Sequence, residues 1–237
     1  MVSQLYDYLY INEEKTWTEA QQYCRENHTD LATVSNMTDM KRLLSTRAGH
    51  IKEAWIGLYD QTDGDRTWYW SLPGVEFNES ETNWNKNEPN NVKATQNCGI
   101  IWRDRKWGDE SCNKHFYYLC YNDKVILVKE KMNWEDALYY CRDHYHDLVT
   151  ITSLDEQRWI QEKAKNASTD YVWMGLRYTC TLDFWFWVSD EVVRYKNWAS
   201  GEPVDDCDMS GAMETGGGHK WRKINDLEEF NFLCSKS

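Results

Sequence analysis

Residues 15–25, KTWTEAQQYCR, recur 117 positions later as residues 132–142, MNWEDALYYCR. Trp, Ala, Tyr, Cys and Arg coincide at this offset, which is the separation of the two cysteines (141 minus 24). The apolar residues of the first stretch follow the spacing of one helix face: Trp17, Ala20, Tyr23 and Cys24. This pattern predicts an amphipathic helix with a buried stripe in each copy.

The repeat continues beyond this helix through both halves of the chain. The motif Trp-Ile-Gly-Leu at 55–58 falls on Trp-Met-Gly-Leu at 173–176 with an offset of 118, and later tryptophan, cysteine and Glu-Pro positions follow at offsets down to 114. An offset confined to 114–118 indicates two homologous units of about 115 residues, which is a usual domain size. We therefore place a first domain at residues 1–121 and a second at residues 122–237, joined by a short polar connection.

Periodicity and residue preference predict further helices and strands in each unit. A second helix is expected at 37–48, with a counterpart at 154–164. Aromatic-rich stretches at 67–71 and 184–188 are typical of strands. The segment between Trp70 and Trp107 is rich in Asn, Glu, Gly and Pro, which favours a long loop, and long loops on a rigid scaffold often carry binding sites.

The composition excludes several classes of function. The net charge is −12, from 39 acidic and 27 basic residues, and no local stripe of Lys and Arg offsets it, so nucleic acid is not an expected partner. The chain has no run of about 18 apolar residues that could span a membrane. The first 15 residues do not resemble a signal peptide, so we expect that a leader was removed or lies outside this chain. No serine-hydrolase or zinc-protease motif occurs, and we do not expect an enzyme.

Eight cysteines divide evenly between the two units. Four cysteines allow three pairings, and the spacing alone does not choose among them. A zinc site is disfavoured because no Cys-x-x-Cys occurs and the histidines are scattered. Four Asn-x-Ser/Thr sequons are candidate glycosylation sites: Asn27, Asn36, Asn78 and Asn166. Cysteines and sequons together favour an oxidising, extracellular location for a secreted glycoprotein.

The ordered set of motifs resembles the C-type lectin domain, once in each repeat. The set comprises the helix with Trp17 and Cys24, the motif at 55–58, Glu88-Pro89-Asn90, Trp107-Gly108-Asp109 and the flanking cysteines. In its tandem arrangement the chain resembles the tandem C-type lectins of fish. The resemblance implies a mixed α+β fold with long loops stapled by disulfides.

The resemblance also implies a cysteine pairing. In the first domain the expected pairs are Cys24–Cys120 and Cys98–Cys112, and in the second domain Cys141–Cys234 is the counterpart of the first pair. The second domain departs from the family pattern because Cys207 matches Cys98 in the sequence, whereas Asp226 matches Cys112. We therefore predict a non-standard bridge between Cys180 and Cys207, since free thiols are unusual in a secreted protein.

A candidate calcium and sugar site follows from the family resemblance. In that family, Glu and Asn on either side of a cis-proline bind Ca²⁺ and two adjacent sugar hydroxyls, and this order is associated with mannose-type glycans. Carried over to this chain, the metal ligands are Glu88, Asn90, Gln96 and Asp109, the cis-proline is Pro89, and sugar would bind to Glu88, Asn90 and Asp109. The set is incomplete, because Gln96 replaces a Glu of the family pattern and Gly108 replaces an Asn. Fewer anionic ligands weaken calcium binding.

The second domain lacks most of this set. Glu202-Pro203 is followed by Val204, and Trp221-Arg222-Lys223 places a cation where Asp109 lies in the first domain. A lysine opposes a calcium ion by direct repulsion. We expect this domain to act as a scaffold or to contact protein.

These features lead to two hypotheses about function. The first is a carbohydrate-binding lectin whose first domain recognises mannose-type glycans weakly through Ca²⁺, with a glycan or glycoprotein as partner. The alternative is a lectin-like module that binds protein rather than sugar and keeps only a degraded calcium site. The convergence of Glu88, Asn90, Gln96 and Asp109 distinguishes the two.

Overall fold

The chain folds into two compact units, residues 6–123 and 124–236. A computed structural model describes residues 6–45, 52–61, 66–203 and 206–236. The division falls two residues beyond the boundary placed at 121 from the sequence, because the last strand of the first unit continues through Asp123. We call the units domain 1 and domain 2.

The described residues of domain 1 form two α-helices and a seven-stranded sheet. Its elements are β1 (Tyr6–Lys15), α1 (Trp17–Asn27), β2 (Asp30–Leu31), α2 (Met37–Ser45), β3 (Ala54–Asp60), β4 (Trp68–Trp70), β5 (Cys98–Ile101), β6 (Trp107–Glu110) and β7 (Phe116–Asp123). The strand order is β1-β7-β3-β5-β6, with β2 paired to β7 and β4 paired to β3. Two single-turn 3-10 helices, Glu79–Glu81 and Val92–Ala94, lie in the long segment between β4 and β5.

Domain 2 repeats this architecture. Its elements are β8 (Val125–Met132), α3 (Trp134–His144), β9 (Asp147–Leu148), α4 (Leu154–Ala164), β10 (Tyr171–Thr179), β11 (Phe184–Trp187), β12 (Met209–Glu214), β13 (Trp221–Asn225) and β14 (Phe230–Ser235). The strand order β13-β12-β10-β14-β8 is the order of domain 1 read from its other edge. The predicted mixed α+β fold in two copies is confirmed.

Capping residues and a buried tryptophan stabilise the repeated helix in both domains. Thr16 caps α1, and its side chain and that of Glu19 bond each other's backbone amides in a capping box. Asn133 caps α3 by accepting a hydrogen bond from the amide of Asp136. The tryptophan that begins each helix is buried and donates its indole N–H to a carbonyl of the central strand, at 2.9 Å in both domains. This bond ties each helix to its sheet.

The second helix of each domain agrees closely with its prediction. The helix α4 has the predicted bounds, 154–164. The helix α2 begins at Met37 as predicted and extends to Ser45, and the remainder of the predicted range, 46–48, lies outside the described residues. Both predicted aromatic strands are present, and the alternation in β4 buries Trp68 and Trp70 while Tyr69 remains 40% exposed. These two tryptophans therefore belong to the core.

Four disulfides staple the domains. They are Cys24–Cys120, Cys98–Cys112, Cys141–Cys234 and Cys180–Cys207, as predicted. The Cys24–Cys120 and Cys141–Cys234 bridges each fasten the repeated helix to the last strand of its own domain. The fourth bridge joins the end of β10 to the segment before β12, a place where domain 1 has no disulfide.

The sequence-based match of Cys207 to Cys98 is wrong. Register places Cys98 opposite Tyr59 in β3, and in domain 2 the corresponding pair is Ser210 and Arg177. The following glycine gives the same answer, because a Cβ on Gly99 or Gly211 would meet the Cβ of the facing leucine at 2.5 and 2.8 Å, respectively. The small shift in offset between β10 and β12 hid this equivalence in the sequence.

A polar cluster in domain 2 occupies the place of the second disulfide of domain 1. Asp226 stands at the position of Cys112, since the carbonyl of each accepts the amide of the first helix tryptophan at 3.1 Å. The carboxylate of Asp226 accepts a hydrogen bond from Ser210 Oγ at 2.6 Å and forms an ion pair with Arg177 at 3.1 Å. The Arg177 guanidinium lies 4.7 Å from the ring centre of Trp134. Hydrogen bonds and charge thus replace the covalent link.

Candidate functional site

A loop of domain 1, residues 83–92, carries the Glu-Pro-Asn motif, and we call it the EPN loop. Its first part is fixed to β6, because the amide of Trp107 donates to the carbonyl of Asn83 and the amide of Asn85 donates to the carbonyl of Trp107, both at 2.8 Å. The ring of Trp84 packs against Trp68 and Trp107, with centroid distances of 5.1 and 5.8 Å. These contacts hold the loop on the buried aromatic core.

The motif itself has an unusual backbone. The Glu88–Pro89 peptide is cis, and the two asparagines that flank the motif, Asn87 and Asn91, have φ values of 66° and 46°. Asparagine tolerates this left-handed region better than most residues do. The sequence of the loop therefore suits its conformation.

Three of the predicted site residues converge directly. The amide Nδ2 of Asn90 donates to Glu88 Oε1 at 2.6 Å, and the backbone N–H of Asn90 donates to Asp109 Oδ1 at 3.0 Å. The backbone N–H of Asn91 donates to the other carboxylate oxygen of Asp109 at 2.8 Å. Asp109 is buried, Glu88 is half-buried, and Asn90 is exposed. The buried carboxylate thus holds the loop, whose exposed edge is formed by Glu88 and Asn90.

The fourth predicted residue, Gln96, is used within the same loop region. The side-chain oxygen of Gln96 accepts a hydrogen bond from the backbone N–H of Val92 at 2.7 Å. The backbone N–H of Gln96 donates to Asn91 Oδ1 at 3.1 Å. Gln96 therefore closes the short turn after the EPN loop.

Arg66 is the residue of this site that the sequence analysis missed. Its Nη1 lies 2.6 Å from Asp109 Oδ2, its Nε lies 3.1 Å from Asp60 Oδ2, and its Nη2 donates to the backbone carbonyl of Gln96. The guanidinium also lies over the ring of Trp68, 4.5 Å from its centre. A comparison of charges between the repeats could have revealed it, because Asp183 stands two positions before Trp185, where Arg66 stands two before Trp68.

The pKa values of the two carboxylates move in opposite directions. Burial raises the pKa of Glu88 to about 7, and the neighbouring Asp109 carboxylate adds to the rise. Burial also raises the pKa of Asp109, but hydrogen bonds from Glu88, Arg66 and the loop amides outweigh it and hold this pKa below its ordinary value. Negative charge at this site therefore resides mainly on Asp109, beside Arg66.

The residues present do not fit a calcium ion in this arrangement. An ion bonded to Asp109 at about 2.4 Å would lie roughly 5 Å from the Arg66 guanidinium, and at an effective dielectric constant of about 20 the repulsion is about 7 kcal/mol. Gly108 supplies no ligand, and a Cβ there would lie 2.5 Å from the ring of Trp102. Within the described parts of the chain, no three His, Cys, Asp or Glu side chains are grouped so as to hold a metal.

Domain 2 places a different set of groups at the equivalent position. Glu202–Pro203 is again cis, but Lys223 faces Gly211 across the hairpin as Asp109 faces Gly99 in domain 1. The Lys223 ammonium lies 4.0 Å from Asp206. Val204 lies outside the described residues. A cation therefore stands at the place of the buried carboxylate of domain 1.

The four candidate glycosylation asparagines are all exposed. Asn36 and Asn78 each accept a backbone hydrogen bond at the start of a helical turn, and Asn27 donates to the carbonyl of Tyr23. Exposure is the condition that a modified asparagine must meet, so all four remain candidates.

The chain belongs to the C-type lectin family. The family model "Lectin C-type domain" matches residues 13–122 and again residues 130–236. The chain is 23% identical over 253 aligned positions to human C-type mannose receptor 2, covering 95% of this chain and 17% of the receptor. It is 33% identical to bovine L-selectin over 119 positions, covering 48% of this chain and 31% of the selectin.

A solved structure also matches about half of this chain. The carbohydrate-recognition domain of the mouse scavenger receptor C-type lectin is 29% identical, with a TM-score of 0.43, and covers 48% of this chain and 87% of that one. The chain therefore matches only 17% of the length of the mannose receptor and 31% of the length of L-selectin. No described helix has the length and apolar character needed to cross a membrane.

Proposed function

We propose that this protein is an extracellular carbohydrate-binding lectin, and not an enzyme, in which the EPN loop of domain 1 recognises mannose-type glycans. The observation that carries the proposal is the side-by-side placement of the Glu88 carboxylate and the Asn90 amide on the exposed edge of the loop. Membership of the lectin family supports it, as does the order Glu-Pro-Asn, which accompanies mannose-type specificity in that family.

The chemistry of the edge suits a pair of neighbouring hydroxyl groups. A carboxylate accepts hydrogen bonds, whereas an amide both donates and accepts them, so the two groups orient a sugar that presents adjacent hydroxyls. Asp109 is buried behind the loop and positions it through the amides of Asn90 and Asn91. Because the groups hydrogen-bond each other in the free protein, a sugar must replace those bonds, and we expect weak affinity for a single residue.

The proposal does not require calcium. The expected metal ligands Glu88, Asn90, Gln96 and Asp109 lie near one another, but the Arg66 guanidinium beside Asp109 repels an ion there, and Gly108 supplies no side-chain ligand. Recognition is therefore assigned to hydrogen bonds from the protein itself.

The test is binding of the 237-residue chain to a glycan array, followed by calorimetry with mannose and galactose. We expect the chain to bind mannose-rich glycans, and we expect E88Q and N90A to abolish this binding. The control E110Q should leave it intact, because Glu110 lies in the neighbouring strand and its carboxylate pairs with Lys114. Binding that survives both loop variants would place recognition elsewhere.

A second candidate is a lectin-like module that binds protein. The EPN loop favours this candidate because its polar side chains already hydrogen-bond each other. The cation Lys223 at the equivalent position of domain 2 also favours it. An array without any binding glycan, together with capture of a defined protein that depends on domain 2, would favour this candidate over the first.

A further inference from the structure

A buried ion-pair cluster lies directly beneath the EPN loop. The side chains of Asp60 and Asp109 are 1% and 0% exposed, and the Arg66 side chain that joins them is 19% exposed. A buried carboxylate is strongly disfavoured unless it is paired and hydrogen-bonded. Asp109 therefore requires a cation or an equivalent set of donors.

Arg66 supplies that cation with nearly full use of its geometry. Its three nitrogens reach two carboxylates and one backbone carbonyl, and its flat face rests on Trp68. A guanidinium has a rigid fork of donors and is less strongly hydrated than an ammonium, so it suits a site of this kind.

We infer that Arg66 takes the charge-neutralising role that a calcium ion would otherwise have beside Asp109, and that it holds the EPN loop in its binding shape without metal. The path is short and continuous. Arg66 fixes the Asp109 carboxylate, whose two oxygens accept the amides of Asn90 and Asn91, and Asn90 in turn bonds Glu88.

Domain 2 gives an independent comparison. At the position of Arg66 it has Asp183, which accepts a hydrogen bond from Tyr178, and Tyr178 stands where Asp60 stands in domain 1. At the position of Asp109 it has Lys223. The signs of both charges are reversed between the copies, so domain 2 has the cation Lys223 at the place of the buried Asp109 carboxylate.

This inference concerns the same loop as the proposed function but has its own readouts, which are calcium binding and stability rather than sugar binding. The experiment compares the 237-residue wild-type chain with R66Q, R66K and the control R103Q by calorimetric titration with CaCl₂ and by thermal unfolding with CaCl₂ or EDTA. Arg103 is a suitable control because it is an exposed arginine of domain 1 that pairs with Glu53 at 3.6 Å, away from Asp109.

The expected results separate charge from shape. Wild type, R103Q and R66K give no calcium heat and the same melting temperature in CaCl₂ and in EDTA. R66Q, in which Asp60 and Asp109 lose their cation, melts at a lower temperature in EDTA and recovers several degrees in about 10 mM CaCl₂ because a ligand that binds only the folded state stabilises it.

Two results would overturn the inference. One is calcium-dependent stabilisation of the wild-type chain, which also remains decisive if R66Q does not fold. The other is a folded R66Q that is indifferent to calcium, since Arg66 would then not stand in for the ion. If the wild-type chain binds no glycan while the calcium results are as expected, the proposed function is refuted and this inference stays in place.

Discussion

Replacement of Asp226 by alanine tests the polar cluster that stands in for a disulfide in domain 2. The change removes the acceptor of Ser210, whose side chain is fully buried, and the ion-pair partner of Arg177. An unsatisfied buried hydroxyl costs about 1–3 kcal/mol. Loss of a fully buried ion-pair partner costs about 3–5 kcal/mol, but Arg177 is 36% exposed and can turn to water, so we reduce this part to about 1 kcal/mol.

The sum predicts that D226A lowers the free energy of unfolding of domain 2 by about 2–4 kcal/mol, or roughly 10 °C in melting temperature. Native-state hydrogen exchange with mass spectrometry is the appropriate assay, because peptides of β12 and β14 report domain 2 separately from domain 1. The control is E162A, since Glu162 is 61% exposed and pairs with exposed Lys165 at 2.7 Å. We expect that control to change stability by less than about 0.5 kcal/mol.

A double-mutant cycle makes the same argument quantitative. S210A and D226A remove the two ends of one hydrogen bond, so their effects should fail to add by about 1 kcal/mol. Equal stability of D226A and E162A, or full additivity in the cycle, would show that the cluster contributes nothing and that our account of domain 2 is mistaken.

Three further predictions concern this cluster and the EPN loop. The double variant S210C/D226C should form a disulfide, detected as protection from alkylation, because these positions correspond to the bridged pair of domain 1; two free thiols would refute the equivalence. The raised pKa of Glu88, about 7, implies that its contribution to stability is complete below its unfolded pKa and is lost as the pH rises through about 7, so urea unfolding should show a smaller loss between about pH 5 and pH 8 in E88Q than in wild type. G108N should destabilise domain 1 by about 1–3 kcal/mol in urea unfolding because of the contact with Trp102, and W102A should relieve part of this cost; a neutral G108N would contradict the contact.

Much of the fold could be predicted because it is written in local patterns. The repeated helix has its cap, its apolar stripe and its cysteine within eleven residues, and in both copies it begins at the tryptophan of the repeat. The aromatic strands and the helix α4 follow from residue preference and periodicity over similarly short stretches. The two-domain organisation was predicted from the repeat, because the positions that two copies in one chain share are those that the fold requires.

The sequence named residues that the structure brings together at the candidate site, but it did not predict which cation lies beside Asp109. Glu88, Asn90, Gln96 and Asp109 are close together, yet the cation that pairs with Asp109 is Arg66, which lies 43 positions earlier in the chain. The likeness of Cys207 to Cys98 failed for a related reason, because strand register, rather than distance along the chain, decides that Ser210 is the true counterpart.

The sequence by itself determined that this protein consists of two copies of one domain, because the repeat carries that information, and its ordered motifs resemble the C-type lectin family, which implies the fold and most of the cysteine pairing. Only the tertiary structure decided which charge neutralises Asp109, what blocks Gly108 and what replaces the missing bridge of domain 2. The physical reason is that a buried charge is stabilised by whichever partner the fold brings within about 3 Å, and such partners come from distant strands whose pairing no local pattern records.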